Sequence, residues 1–370
     1  MSFVVLNANA YDIDLGNYFY YNVVDLGQLT VSLTHYSDYT YGGHLDIEPT
    51  IEYKGKTWTV VEIGESAFGG HYKLESVTIP NTVTTIRRCA FWACSNLVTV
   101  SLPNSLISIE DRVFEDCQSL RSIKLPDSIA KIGSRAFLCC YGLETVTLPN
   151  SIEVIGDDAF WACRSLSSIS FPGSLKELGT MAFYACHNLR EIIFQHSMTH
   201  LMLKKDNANH RQFEACDNIE HLYIGRCIAS DGNPSVCFWP QDFWKVKKIT
   251  IDANFSGNLP SFCTFPSLSE IESQTTNPSN INAEFLNKHY LNATLYVPKG
   301  TKEIYETVEG WKNFFTIVEK DIEIMGLRTP EYKVSDKAFY NIRGEKLSYL
   351  RRGLNIIVKN NGESKKVIIK

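Results

Sequence analysis

Cysteine is the residue type whose spacing in this chain could do chemistry. Five cysteines lie 23 residues apart and a sixth follows after 30, namely Cys94, Cys117, Cys140, Cys163, Cys186 and Cys216. A thiolate can serve as a nucleophile, a redox partner or a metal ligand. Catalysis needs one such residue and gives no reason for a copy at every interval. We therefore interpret the six as a structural ladder of reduced thiols, each a small buried side chain with a weak hydrogen-bond donor.

The other five cysteines do not share this spacing. Cys89, Cys139, Cys227, Cys237 and Cys263 are out of phase, and the sequence leaves their state open. The chain contains no Cys-x-x-Cys pair, which is the spacing typical of redox and zinc sites. In the earlier copy that begins at Ala67-Phe68, His71 replaces the ladder cysteine.

A pair of histidines offers a second candidate for chemistry. His196 and His200 are four residues apart, the spacing that binds zinc on one helix face, and His210 could be a third ligand. However, Ile192 and Phe194 continue a strand pattern, so a helix is not expected. Nucleophile-elbow, zinc-protease and phosphate-loop motifs are missing as well. The sequence predicts no catalytic residue, no metal and no cofactor.

The elements that position the ladder form a repeat. A phenylalanine stands three residues before each ladder cysteine, at positions 91, 114, 137, 160, 183 and 213. Prolines recur in the same phase at positions 80, 103, 126, 149 and 172. Similarity at a fixed period over this length indicates a solenoid, in which each repeat packs only against its neighbours.

Each repeat contains one short strand and one turn. In residues 97–102, Val100 and Leu102 are expected to face inward, and Thr99 and Ser101 outward. The proline that follows ends the strand, because it has no N–H to donate. Successive strands would stack in parallel about 4.8 Å apart. The Ala-Phe-x-x-Cys segment is expected to form a turn or short helix on the other side.

The repeat unit L-x-x-L-x-L-P-x-x-L-x-x-I-x-x-x-A-F-x-x-C resembles the leucine-rich repeat of BspA-like (Treponema pallidum type) surface proteins of Bacteroidetes. This resemblance implies a leucine-rich repeat solenoid with a parallel β-sheet on its concave face and turns or short helices on its convex side. An N-terminal β cap and a small C-terminal all-β tail would complete it. The expected divisions are a cap at residues 1–62, regular repeats at 63–225, degenerate repeats with a C-terminal cap at 226–325, and the tail at 326–370.

Composition and the tail bear on location and partners. A net charge of −5 provides no positive field for nucleic acid. No apolar run approaches the roughly 18 residues of a membrane span. The tail is similar to small β-sandwich tails of secreted Bacteroidetes proteins, some of which are sorting signals. We therefore expect an extracellular or outer-surface protein, with its leader assumed absent from this sequence.

The resemblance implies a non-catalytic recognition or adhesion protein that binds a host or microbial protein along the concave face. The outward strand positions expected to do so are Thr99, Ser101, Ser122, Lys124, Thr145, Thr147, Ser168, Ser170, Glu191 and Tyr223. The competing interpretation is that Ser and Thr simply tolerate exposed strands.

A second function stays open. Trp92, Trp161 and Tyr184 share the position after the repeat phenylalanine, where exposed aromatic side chains could stack on a sugar. Such residues also commonly lie half-buried over a turn, with no ligand. The identity of the ligand, the biological process, the oligomeric state and any sorting role of the tail are not determined by the sequence.

Overall fold

The computed structural model describes residues 11–16, 19–34, 42–204, 211–230, 243–260, 262 and 265–322. It also describes four strands between residues 337 and 369. Residues 1–322 form one unit and residues 323–370 a second. Cys237, Cys263 and His210 lie outside the described residues.

The repeats stack with their strands in parallel, which confirms the expected solenoid. We call these strands the front strands: Gly42–Asp46, Lys73–Thr78, Thr99–Ser101, Ser122–Lys124, Thr145–Thr147, Ser168–Phe171, Glu191–Phe194, His221–Ile224, Lys248–Ile251, Glu270–Ser273, Thr294–Pro298 and Thr316–Lys320. Their register sets Ser122 beside Thr145 and Ile123 beside Val146. The two aliphatic side chains are buried and the two hydroxyl side chains are exposed.

A second parallel stack, which the sequence pattern did not predict, is centred on the aliphatic residue that closes each repeat. These back strands are Thr85–Ile86, Ser108–Ile109, Lys131–Ile132, Val154–Ile155, Glu177–Leu178, Leu201–Leu203 and Ile228–Ser230. They join the N-terminal strands Ile13–Asp14, Tyr20–Asp25, Thr30–Thr34, Thr50–Tyr53 and Lys56–Ile63 in one 12-stranded sheet. A strand of two residues is too short to show alternation, so no sequence signal marked it.

The Ala-Phe-x-x-Cys segments are turns rather than helices. Each of the five turns from Cys89 to Ala185 contains two residues with positive φ, such as Cys89 (57°) and Ala93 (56°). The N–H groups of Cys89, Phe91 and Ala93 all donate to carbonyl groups of the next repeat. The turns that contain these left-handed residues thus form a third series of hydrogen bonds between repeats. Residues other than glycine have a steric cost in the left-handed conformation.

A column of phenylalanine rings fills the interior behind the turns. From Phe68 to Phe183 the rings stack at centroid distances of 5.0–5.6 Å, with interplanar angles of 8–15°. All of these rings are completely buried. An aromatic side chain of this size contributes about 2–3 kcal/mol when it is removed from water, so each repeat depends on the ring of its neighbour.

Both ends of the first unit continue the solenoid. The strand Lys56–Ile63 spans the expected division at residue 62 and pairs in parallel with the back strand Thr85–Ile86. Towards the other end lie the short elements Phe243–Lys245 and Pro278–Asn280 (3₁₀ helices), the paired strands Gly257–Asn258 and Ile281–Asn282, and the helices Asn287–Asn292 and Lys302–Tyr305. Completely buried Trp311 packs among the aromatic rings there.

Within the described part of the second unit, all elements are strands, as the tail sequence predicts. It is an antiparallel sheet of the strands Lys337–Asn341, Lys346–Leu347, Gly353–Lys359 and Ser364–Ile369. Within the described part of the chain, no helix has the length and apolar character needed to cross a membrane.

The left-handed turn positions can be tested with glycine. We expect Ala93→Gly to raise the free energy of unfolding by about 0.5–1 kcal/mol, because relief of the steric cost at φ 56° outweighs the added entropy of the unfolded chain. Ala130→Gly is the matched control, since Ala130 is equally half-buried but has no positive φ, and it should lower stability by a similar amount. Urea unfolding followed by circular dichroism measures both. Equal losses from both substitutions would contradict the role assigned to the turn.

Candidate recognition surface

The front strands present two different surfaces. In the N-terminal half, Thr99, Ser101, Ser122, Lys124, Thr145, Thr147 and Ser168 are exposed. These seven residues carry six hydroxyl groups and one cation. From Glu191 onwards the outward positions carry charged and aromatic side chains in contact with one another. Ser170 and Glu191 are half-buried.

Loss of the repeat proline explains where the change begins. The proline at positions 103, 126, 149 and 172 is replaced in later repeats by Gln195, Gly225, Asp252 and Gln274. Unlike proline, these residues have an N–H, and each donates it to the preceding repeat, for example Asp252 to the Ile224 carbonyl at 3.0 Å. The front strands from Ser168–Phe171 to Glu270–Ser273 have four residues each, whereas Thr99–Ser101, Ser122–Lys124 and Thr145–Thr147 have three. Side chains at the former proline position consequently reach the outward surface.

Tyr223 is buried by these side chains, although the sequence predicts that it is exposed. The alternation predicts an outward, accessible Tyr223, but this residue is only 2% exposed. Its hydroxyl donates to Asp252 Oδ2 at 2.5 Å and lies 3.3 Å from Gln274 Oε1. Burial and the neighbouring Asp252 carboxylate raise the pKa of Tyr223 far above its ordinary value. Tyr223 therefore supports the surface from below and does not offer a contact.

A second group on this surface is built around His221. Its Nδ1 lies 2.7 Å from Glu191 Oε1, and its Nε2 lies 2.9 Å from Thr250 Oγ1. Carboxylate, imidazole and hydroxyl in this order have the connectivity of a nucleophile relay. However, Thr250 is only 2% exposed, so a substrate could not reach its hydroxyl. The group holds Glu191 and His221 in fixed positions.

Glu272 is the centre of a third group. Its Oε2 accepts hydrogen bonds from Lys320 at 2.5 Å and interacts with Lys248 at 3.1 Å, and its side chain is only 9% exposed. Burial by itself raises the pKa of this carboxyl, but hydrogen bonds from Lys320, Lys248 and Gln274 outweigh it and hold the pKa below its ordinary value. Lys320 also lies over the ring of Tyr296, 4.6 Å from its centroid. Two cations and an aromatic ring are thereby held together.

The aromatic stripe lies away from this surface, in the turns. Trp161 and Tyr184 are neighbours, but they meet edge to face, with centroids 5.5 Å apart and planes at 79°. Both are half-buried. Trp92 is 43% exposed, and two further repeats separate it from Trp161. The three side chains therefore do not form one flat platform for a sugar.

The cysteine ladder lies inside the solenoid. The six thiols are completely buried, and each donates to the carbonyl of the phenylalanine of the preceding repeat at 2.9–3.3 Å. Burial raises the pKa of Cys94 to about 12 and that of the next three ladder cysteines well above its ordinary value. Such thiols are poor nucleophiles at neutral pH.

The out-of-phase cysteines that are described have different surroundings. Cys89, Cys139 and Cys227 are half-buried, and all nine described cysteines are free thiols. Among the described residues, no group of three or more His, Cys, Asp or Glu is arranged to hold a metal ion. His196 and His200 lie in the loop after the front strand Glu191–Phe194, not on a helix.

Residues that the sequence interpretation did not select carry the most densely connected part of this surface. Lys248, Glu272, Tyr296 and Lys320 occupy front strands of the degenerate repeats. A signal for three of them was present, because the pattern Val246-x-x-Ile249-x-Ile251 places Lys248 outward and the following repeats place Glu272 and Tyr296 likewise. Their contacts with one another had no sequence signal.

The fold and this surface define a leucine-rich repeat protein with a parallel β-solenoid of about ten turns. A family model described as the BspA type leucine rich repeat region matches in six copies, at residues 61–190 and 91–220. Residues 61–220 are therefore leucine-rich repeats of the BspA type. No curated protein matches the chain.

Several solved structures similar to this chain are described as leucine-rich repeat or leucine rich proteins. One from Bacteroides ovatus has 20% identity and a TM-score of 0.43, covering 85% of this chain and 100% of its own. The leucine-rich repeat protein of T. pallidum has 24% identity and a TM-score of 0.38, covering 68% and 88%. A leucine rich cell surface protein from Faecalibacterium prausnitzii has 19% identity and a TM-score of 0.42, covering 86% and 96%.

Thiol reactivity tests the arrangement of the cysteines. We expect N-ethylmaleimide at pH 7.5 to label Cys89, Cys139 and Cys227 in the folded chain long before the six ladder cysteines, because burial keeps the latter protonated and inaccessible. Peptide mass spectrometry after timed labelling assigns each site. In denaturant without reductant, all nine should react. A ladder cysteine labelled as fast as Cys139, or found oxidised, would contradict this.

The Glu272 group predicts an acid-dependent loss of stability. Because its folded pKa is depressed, its contribution is present at neutral pH and is lost as the pH falls through the folded pKa. We expect Lys320→Met to cost about 2 kcal/mol at pH 7 and less at pH 3, because the protonated fraction of the Glu272 carboxyl rises as the pH falls. The control Lys312→Met removes an exposed ion pair with Glu309 and should change stability by less than about 0.5 kcal/mol. Urea unfolding at both pH values measures these effects. A Lys320→Met cost that is unchanged at pH 3 would count against the assignment.

Proposed function

We propose that this chain is a non-catalytic recognition protein of the cell surface that binds a protein of a host or another microbe through its front strands. The BspA-type repeats support a non-catalytic repeat protein. The observation that carries the finer proposal is the connected polar surface of the C-terminal front strands, in which Glu191, His221, Lys248 and Lys320 are fixed by one another or by buried partners.

Fixed side chains make this surface better suited to binding than the hydroxyl strip. Association pays for the ordering of long side chains, at about 0.5–1.5 kcal/mol each. This cost is smaller for Lys248 and Lys320, because their contacts with Glu272 already order both side chains in the free protein. The serines and threonines of the N-terminal half lack long or aromatic anchors.

Apolar and charged groups occur together on this surface, as they do in protein interfaces. Ile193 and Tyr296 are half-buried, and Val318 is partly exposed, all at outward positions of the same sheet. Glu270 and Glu191 add negative charge beside the lysines. A partner that presents an apolar centre surrounded by charges of both signs would complement this surface.

The repeat type and one similar solved structure support a location at the cell surface. The repeats resemble those of BspA-like surface proteins. A similar structure from Faecalibacterium prausnitzii is called a cell surface protein. We infer that the protein is exported, and that its C-terminal antiparallel sheet resembles the tails that some exported proteins use for sorting.

Two substitutions on equivalent outward positions test the binding surface. We expect the wild-type chain to bind at least one of immobilised fibronectin, fibrinogen, laminin or collagen in surface plasmon resonance. Ile193→Asp should weaken that binding at least about tenfold, since a charge in the apolar centre of an interface is costly. Thr147→Asp is the control in the hydroxyl strip and should change affinity less than about threefold. Circular dichroism checks that both variants fold.

The alternative, glycan binding, predicts a different result. Binding on a glycan array that is lost in Trp161→Ala and retained in Ile193→Asp would favour the aromatic stripe. Binding to none of the matrix proteins, or equal loss in Ile193→Asp and Thr147→Asp, would count against the proposed surface.

A further inference from the structure

A large cleft lies beside the short paired strands Gly257–Asn258 and Ile281–Asn282 of the degenerate repeats. It has a volume of about 1020 Å³, at the upper end of the roughly 300–1,000 Å³ that ligand pockets span. None of the described residues that line it belongs to a front strand. The cleft is therefore separate from the proposed recognition surface.

The regular repeats pack too closely for such a cleft. In those repeats a glycine follows the back strand, and a Cβ atom on Gly179 would clash with the backbone of Gly156 in the repeat before it. In the degenerate repeats, the helix Asn287–Asn292 is inserted between the short strand Ile281–Asn282 and the next front strand. The cleft thus lies where successive turns no longer have the same length.

Buried aromatic rings form an apolar part of the lining. The rings of Phe262 and Phe285 stack with centroids 5.3 Å apart, and Tyr290 meets Phe285 edge to face at 77°. The Tyr290 hydroxyl accepts a hydrogen bond from the Phe285 N–H at 3.2 Å. These contacts fix the half-buried Tyr290 ring in the lining together with the exposed side chain of Leu286.

Two asparagine side chains at matched strand positions supply hydrogen-bonding groups. Asn258 and Asn282 are register partners, and both are exposed to solvent in the cleft. Asn282 Nδ2 donates to Asn258 Oδ1 at 2.7 Å, which orders both amides in the free protein. The amide N–H groups of Asn258 and the amide oxygen of Asn282 can still bind a ligand. Exposed Asn313 adds a third amide to the lining.

The charge of the lining disfavours an anionic ligand. None of the described residues that line the cleft is a lysine, arginine or histidine, whereas Glu284 and Glu309 are exposed carboxylates. Glu309 pairs with Lys312, which does not line the cleft. A phosphate, sulfate or carboxylate would therefore meet charge of its own sign.

We propose that this cleft binds a neutral oligosaccharide. A sugar hydroxyl both donates and accepts hydrogen bonds, and an asparagine amide offers both functions in return, while the two carboxylates accept further bonds. The apolar faces of the sugar rings would pack against Leu286 and the Tyr290 ring.

The backbone beside the cleft does not suit a peptide that extends a sheet. Such a peptide needs the free edge of a strand. Here the loop of Gly310 is packed against the residue that follows the strand Ile281–Asn282, because a Cβ atom on Gly310 would clash with the Ala283 carbonyl oxygen. An added strand has no space at this point.

Isothermal titration calorimetry tests the site with linear oligosaccharides of glucose, mannose, galactose or N-acetylglucosamine, and with trilysine as a cationic peptide probe. We expect saturable binding of at least one oligosaccharide to the wild-type chain and no binding of trilysine. Asn282→Ala should weaken the oligosaccharide at least fivefold, because it removes an acceptor and releases the Asn258 amide. The control Asn150→Ala removes an exposed amide from a regular repeat and should bind as the wild type does.

A second variant keeps the test decisive if Asn282→Ala alters the local packing. Asn313→Ala changes another exposed member of the lining and should weaken binding threefold or more. Trp161→Ala should leave the affinity unchanged, which separates this cleft from the aromatic stripe. A loss in either asparagine variant with both controls unchanged supports the proposal. Absence of oligosaccharide binding, binding of trilysine instead, wild-type affinity in both asparagine variants, or an equal loss in Trp161→Ala would overturn it.

Discussion

Hydrogen bonding between successive turns is the constraint on which the structure depends. A single turn of this solenoid has almost no bonds of its own in its strands, because front and back strands pair only with the turns before and after them. Even in the turns, alternate N–H groups donate to the next repeat. An unpaired buried backbone group costs free energy comparable to a lost hydrogen bond. Each turn therefore requires neighbours of nearly the same shape.

This requirement accounts for the conserved spacing within the chain. The phenylalanine ring of one repeat stacks on the ring of the next, and each ladder thiol donates to the phenylalanine carbonyl of the repeat before it. Both contacts work only if the same atoms recur at the same height in each turn. Periodic cysteines are explained by this geometry, and no chemistry of the thiols needs to be invoked.

Variation is permitted where side chains point outward, and function is expected to depend on those positions. The regular repeats place small hydroxyl residues there. In the later repeats, the proline that ends each front strand is replaced, the strand gains a donor, and Asp252 and Gln274 support Tyr223 from the new position. The candidate recognition surface thus lies where the repeat becomes irregular.

Much of the fold was predictable from the sequence, because a contact between identical positions of adjacent repeats is specified by the period alone. The front strands, the buried cysteines and phenylalanines, and the outward position of Thr145 all follow from it. The two-residue back strands did not, since they are shorter than any periodic signal. Neither did the burial of Tyr223 or the pairing of Lys320 with Glu272. These depend on residues from different repeats with unrelated sequences, whose meeting is decided by the twist and length of the stacked strands. The sequence by itself determined the repeating core, and only the tertiary structure decided which of its irregular side chains meet.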